Sequence, residues 1–198
     1  MESNYFVKFP TEEVNTPKER NLTFLNIIAT IITSHKVGNM SVTLSDEKKV
    51  DSTGPVFGMA SNYIDYCDIT MYHINDKTFE DIETYYLTIY AFLHEFGHSL
   101  QYRKKTFLSS HKTSLFEMES RILTEDYETY LKYYDGLELE YEANCIAKDL
   151  MDTLLTDNNE ARTFADKQFS SDKKAYEKSL EEFLGYLKRT YSFKLKRD

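Results

Sequence analysis

The 198-residue sequence has no tryptophan, three prolines, six glycines and two cysteines. So few chain breakers leave little room for turns and favour long helices. Cys67 and Cys145 are too few for a disulfide framework and are expected to be reduced thiols. Long apolar runs are also missing. The longest, residues 22–32, is interrupted by Thr23, Asn26 and Thr30 and is too short to cross a bilayer, so no membrane partner is expected. There is no basic excess either: 24 Lys and Arg stand against 33 Asp and Glu, a net charge of −9. That balance opposes the phosphate-tracking electrostatics of a nucleic-acid binder. Residues 1–9 contain no basic stretch followed by an apolar core, so no secretory signal is read and a cytoplasmic location is expected.

Hydrophobic residues make up 41% of the chain and charged residues 29%, the composition of a folded domain rather than a disordered tail. No repeat or linker divides it, so residues 1–198 read as one domain. Thr16-Pro17-Lys18-Glu19 is a capping box with proline at the first helical position. Leu22, Leu25, Ile28, Ala29 and Ile32 then predict the buried stripe of a helix that stops at Gly38-Asn39. Short strands are expected at 41–44 and 56–60, joined by a polar turn around 51–54. A third is expected from Cys67 to His73, where Cys67, Ile69, Met71 and His73 share one face. The remainder reads as helices: about 79–105, 114–136 from a box at Ser114-x-x-Glu117, 137–155 and 172–190. A small N-terminal sheet followed by a mainly helical part is an α+β arrangement.

The middle of the 79–105 helix reads His94-Glu95-Phe96-Gly97-His98. Histidines four apart lie about one turn apart on one helical face, so both imidazoles can reach one cation. Glu95 lies about 100° around the helix, beside the cation rather than facing it, where it can take a proton from a polarised water. His94 and His98 continue the apolar stripe of Leu87 and Ala91, so both are expected to point inward, where a metal ion satisfies them. Gly97 suits close approach of another backbone. A third ligand is sought in Glu138-Leu139-Glu140-Tyr141-Glu142-Ala143-Asn144. Leu139, Ala143, Ile146, Ala147, Leu150, Met151 and Leu154 define the buried face of that helix. Glu140 lies nearer its centre than Glu142, while Glu138 is expected on the solvated face.

On these residues the chain resembles the gluzincins, zinc peptidases with His-Glu-x-x-His on one helix and a glutamate ligand on a later one. The resemblance implies a zincin-like fold and one Zn2+ per chain, held by His94, His98 and Glu140, with Glu95 as general base. It also implies Asn144 steadying a ligand histidine, by the form Glu140-x-x-x-Asn144; the other register makes Glu142 the ligand. Two branches are similar. Glu142-Ala143-Asn144 with Ile146-Ala147 and Leu150-Met151 resembles the ImmA/IrrE-type peptidases, which act on regulatory proteins. The interval from His98 to Glu140 resembles the anthrax lethal factor and Pro-Pro endopeptidase group, as does, faintly, Phe9-Pro10. In that group a tyrosine seven residues before the glutamate ligand stabilises the oxyanion, which implies Tyr133 here. His111 and His73 are alternatives for that role. The expected activity is metalloendopeptidase cleavage of a protein or peptide laid along an edge strand, either 56–60 or 67–73. The alternative is a zinc-containing module that binds a regulatory protein without cleaving it.

Overall fold

The computed structural model describes residues 16–34, 39–51, 54–62, 66–75, 77–104 and 110–191. Helix α1 (Pro17–Ser34) opens on the capping box read from the sequence. Thr16 N–H donates to Glu19 Oε2 at 3.0 Å and Glu19 N–H returns to Thr16 Oγ1 at 3.3 Å. Its buried face, however, is Thr23, Phe24, Ile27, Ile28 and Ile31, whereas Leu22 and Leu25 are exposed. The helix is apolar on two sides, and the aromatic side wins. Phe24 meets Phe92 edge-on at 6.0 Å and Phe79 at 5.9 Å, contacts worth about 0.5–1.5 kcal/mol each beyond burial. Arg20 fixes this rotation by donating to the carbonyls of Phe79 and Glu80, at 2.9 and 2.7 Å.

Among the described residues five strands follow: β1 (Asn39–Leu44), β2 (Val50–Asp51), β3 (Gly54–Pro55), β4 (Gly58–Asn62) and β5 (Tyr66–Met71). β2 and β3 form a small hairpin where a polar turn is expected. The other three make a mixed sheet in the order β1-β5-β4, with β1 parallel and β4 antiparallel to β5. Cys67, Ile69 and Met71 are fully buried, as the alternation predicts. His73 falls outside that pattern because the strand ends at Met71 and His73 turns into the left-handed region at φ 60°.

Helices α2 (Ile82–Lys104), α3 (Ser110–Glu125), α4 (Tyr127–Lys132), α5 (Glu138–Leu154) and α6 (Asn159–Tyr191) complete the described chain, with a 3-10 turn at Tyr134–Gly136. The helix expected over 114–136 is thus two helices and a turn, beginning earlier. Asp126 divides it by capping α4, accepting from Thr129 N–H at 3.1 Å and Thr129 Oγ1 at 2.6 Å. The last helix starts 13 residues before the predicted 172, at a cap from Asn158 to Ala161 N–H of 2.9 Å. Mostly helical with a small mixed sheet, the architecture is α+β. None of the described helices is long and apolar enough to cross a membrane.

α2 lies between the sheet and α5. Its Tyr85, Ile89, Phe92, Leu93 and Phe96 join α1, β5 and the inner faces of α5 and α6 in the main core. A second cluster gathers Leu115, Ile122, Tyr130, Tyr133, Leu137, Phe183 and Leu187 where α3 and α4 meet the far end of α6. The metal-ligand candidates lie on α2 and α5, whose packing against each other sets their separation.

Candidate metal centre

Gly97 lets α2 and α5 approach closely: a Cβ there would stand 3.2 Å from both the Cα and the carbonyl oxygen of Ala143. That approach brings one atom from each of three side chains together. His94 Nε2 and His98 Nε2 lie 3.1 Å apart, and Glu140 Oε2 lies 3.1 Å from the first and 3.2 Å from the second. A tetrahedral ion with bonds of 2.0–2.1 Å separates its ligands by about 3.3 Å, close to this triangle.

The outer nitrogens explain why the inner ones are free to bind. Asn144 Oδ1 lies 2.7 Å from His94 Nδ1, and Gln101 Oε1 lies 2.9 Å from His98 Nδ1. Gln101 is oriented by its own amide, which donates to the Leu139 carbonyl at 2.8 Å. Both Nδ1 atoms therefore act as donors, and in the neutral rings both Nε2 lone pairs face the Glu140 carboxylate. Three converging lone pairs in a buried place call for a cation. The donor set and its geometry fit a bound metal ion, and these three residues can hold one.

Glu140 is buried and held on its other oxygen by the Tyr130 hydroxyl. Burial works to raise the Glu140 carboxyl, but the two imidazoles overcome it and hold it well below the usual carboxylate range. Burial lowers the His98 imidazolium, and Glu140 more than offsets this, taking it to about 9 in the metal-free chain. Tyr134 stands beside the same carboxylate. Burial and the Glu140 charge keep Tyr130 and Tyr134 protonated far above the ordinary phenol range, so both remain donors.

Glu95 does not join the triangle. Its side chain packs under β4, where Gly58 leaves room for it: a Cβ on Gly58 would stand 2.6 Å from Glu95 Cγ and 3.1 Å from Oε1. Burial raises its carboxyl, partly offset by the charges of His94 and His98 and by a hydrogen bond from Ala60 N–H. The source of that N–H matters. Tyr72 N–H donates to Phe57 C=O at 2.9 Å, and Gly58 pairs with Met71 and Ala60 with Ile69. Alternation along an antiparallel ladder then turns the backbone groups of Gly58, Ala60 and Asn62 away from β5. Glu95 is therefore tied to the open side of β4. Since β5 is central in the sheet, the 67–73 segment offers no free edge; among the described residues β4 is an edge strand with no partner on its other side.

No family model, curated protein or solved structure matches this chain.

Of the residues singled out in the sequence, His94, His98 and Glu140 meet, Glu95 lies beside them and Asn144 backs His94. Tyr133 belongs to the second apolar cluster, as Tyr130 does. Its ring packs on Phe183 at 5.7 Å and Tyr186 at 5.1 Å, while Tyr130, three residues earlier, and Tyr134, the next residue, hydrogen-bond to Glu140. His73 also lies away from the triangle, its Nε2 3.0 Å from the Lys49 carbonyl oxygen and its ring 5.5 Å from Phe57. The His111 side chain and Phe9-Pro10 lie outside the described residues. Glu138 is buried rather than solvated, because Tyr176 on α6 covers it and donates to its carboxylate. Gln101, Tyr130 and Glu119 are additions from the structure. Only Gln101 has a local signal, since it follows His98 by three residues on the same helix.

Proposed function

We propose that this chain is a zinc metalloendopeptidase of the gluzincin type with a zincin-like fold. The observation that carries the reading is the convergence of His94 Nε2, His98 Nε2 and Glu140 Oε2, with an uncoordinated glutamate between that triangle and an open strand edge. A zinc ion held by these three residues supplies a water acidified towards a pKa of about 7 and a Lewis acid for a carbonyl oxygen.

The chain's own residues do the rest. Glu95 accepts the proton of the attacking water and returns it to the leaving amine. Its place beneath Gly58 and its bond from Ala60 N–H keep it beside the cluster and out of it. An extended peptide adds to the open side of β4 by main-chain hydrogen bonds, with the outward carbonyls of Gly58 and Ala60 among its acceptors. A scissile bond on that edge passes close to the Glu95 carboxyl. Tyr130 and Tyr134, kept protonated by burial, both hydrogen-bond to Glu140 and are the hydroxyl donors we assign the role that resemblance gives to Tyr133.

The test is elemental analysis of purified protein beside its His94→Ala variant, followed by a peptidase screen with Glu95→Gln as control. The expected result is about one zinc per chain, lost in His94→Ala, and cleavage that falls by orders of magnitude in Glu95→Gln with zinc retained. Protein that takes up no zinc when supplied with it contradicts the metal centre. Zinc without cleavage of any unfolded protein favours the binding module instead.

A further inference from the structure

Helix α5, which carries Glu140, begins without a cap of its own. Its N-cap position is Leu137, whose side chain bonds no backbone amide. The first amides of a helix have no partner within it and are costly to bury unsatisfied. Here the partner comes from another helix. Glu119, in the middle of α3 and fully buried, accepts from Glu138 N–H at 2.7 Å through one carboxylate oxygen and from Leu139 N–H at 2.8 Å through the other. The next residue in the chain is Glu140.

A carboxylate that grips two successive amides fixes both the position and the rotation of the helix's first turn. Rotation of that turn moves Glu140 Oε2 directly, because Glu140 lies within it. From α2, Gln101 also holds this turn by donating to the Leu139 carbonyl at 2.8 Å, whereas Tyr176 on α6 holds only the Glu138 side chain; Glu119 is the group that takes the two leading amides. Burying a carboxyl group is an expensive way to cap a helix, since burial raises the Glu119 carboxyl against the pull of the two amides. An ordinary Ser, Thr, Asp or Asn at position 137 would cap α5 more cheaply. What a local cap cannot do is tie α5 to α3.

Resting on the metal-centre reading above, we propose that Glu119 is a positioning residue for the metal ligand Glu140, aiming it by holding the first turn of α5 from α3. It touches neither substrate nor the reacting atoms.

The experiment is a double-mutant cycle on zinc affinity, read by chelator competition in the full chain: wild type, Glu119→Gln, Glu140→Ala and the pair. Glu119→Gln is expected to weaken zinc binding by about tenfold or more while helix content by circular dichroism is unchanged. In the Glu140→Ala background the same substitution is expected to change affinity by less than about threefold, because there is then no carboxylate to aim. Cobalt substituted for zinc gives a second reading, an altered visible absorption in Glu119→Gln. Equal losses in both backgrounds, or wild-type affinity and cobalt spectrum in Glu119→Gln, overturn the proposal while leaving the metal centre standing. Wild-type protein that binds no zinc overturns both. Where Glu119→Gln does not fold, Glu119→Asp replaces it in the cycle, with both oxygens kept but set back by one methylene.

Discussion

Gly58 roofs Glu95: a Cβ on the glycine would stand 2.6 Å from the glutamate's Cγ, closer than real carbon contacts allow. The strand edge and the proposed base are thus fitted to each other, and the fit depends on the absence of a side chain at position 58. Gly58→Ala is expected to displace the Glu95 carboxyl while His94, His98 and Glu140 still hold zinc. A shift of about 1 Å in a catalytic group can cost about 100-fold, and a loss of that order in kcat/KM with zinc content unchanged is the expected outcome. Unaltered turnover would place the base elsewhere.

Gly97 performs a related service between helices. Ala143 backbone atoms lie 3.2 Å from where its Cβ would be, so Gly97→Ala must separate α2 from α5 by a few tenths of an ångström. Overpacking of this kind costs about 1–3 kcal/mol. Both the melting temperature and zinc affinity are expected to fall, since the two histidines ride on one helix and Glu140 on the other. A lowered melting temperature with unchanged affinity would mean that α5 follows α2 as a rigid unit.

The identity of the third ligand is open to a direct comparison. Glu140 Oε2 meets both imidazoles, and Glu142 is not part of the metal-ligand group. Glu140→Ala is expected to reduce zinc retention at dialysis equilibrium far more than Glu142→Ala. The opposite ranking moves the ligand two residues along the helix.

Two tyrosines can be told apart in the same way. Tyr130 donates to Glu140, whereas Tyr133 stacks against Phe183 and Tyr186. Tyr130→Phe removes a hydrogen bond to a buried charge, worth about 1.5–3 kcal/mol, and is expected to weaken zinc binding and slow cleavage. Tyr133→Phe keeps the ring and its packing, and wild-type kinetics are expected. If Tyr133→Phe is the damaging change, the oxyanion role implied by the family resemblance returns to it.

Acidity acts on the centre through His98. In metal-free protein its imidazolium is destabilised by burial but favoured more strongly by Glu140, and it titrates at about 9 against an ordinary 6.5. A raised imidazolium pKa stabilises the metal-free fold fully below about pH 6.5, and that contribution is lost as pH rises through about 9. Zinc needs the same nitrogen bare. Binding near pH 7 is therefore expected to release about one proton, and affinity to fall as the solution is acidified. Calorimetric titration in two buffers of different protonation enthalpy reads the release, and equal heats in both would contradict it.

Sequence legibility follows the range of the interactions involved. The capping box at Thr16, the four-residue spacing of His94 and His98, the four-residue spacing of Glu140 and Asn144, and the alternation through Cys67, Ile69 and Met71 are all set by the pitch of one helix or the pleat of one strand. They stand in the structure where the sequence puts them. The buried face of α1 was not legible, because Leu22 and Leu25 are as apolar as Ile27 and Ile31 and only the rings opposite Phe24 choose between them. The break at Asp126 was hidden inside a continuous helical pattern that a local cap interrupts.

The sequence by itself determined that two imidazoles share a helical face with a glutamate beside them, and that a later helix offers a carboxylate, because helix geometry repeats every 3.6 residues whatever the fold. The tertiary structure decided which carboxylate meets those imidazoles, which tyrosine reaches it, and that Glu119, 19 residues before Glu138, caps the helix that carries it. Those choices depend on how closely α2, α3 and α5 pack and at what rotation. Packing is fixed by the sum of many distant contacts, and no single stretch of chain encodes that sum.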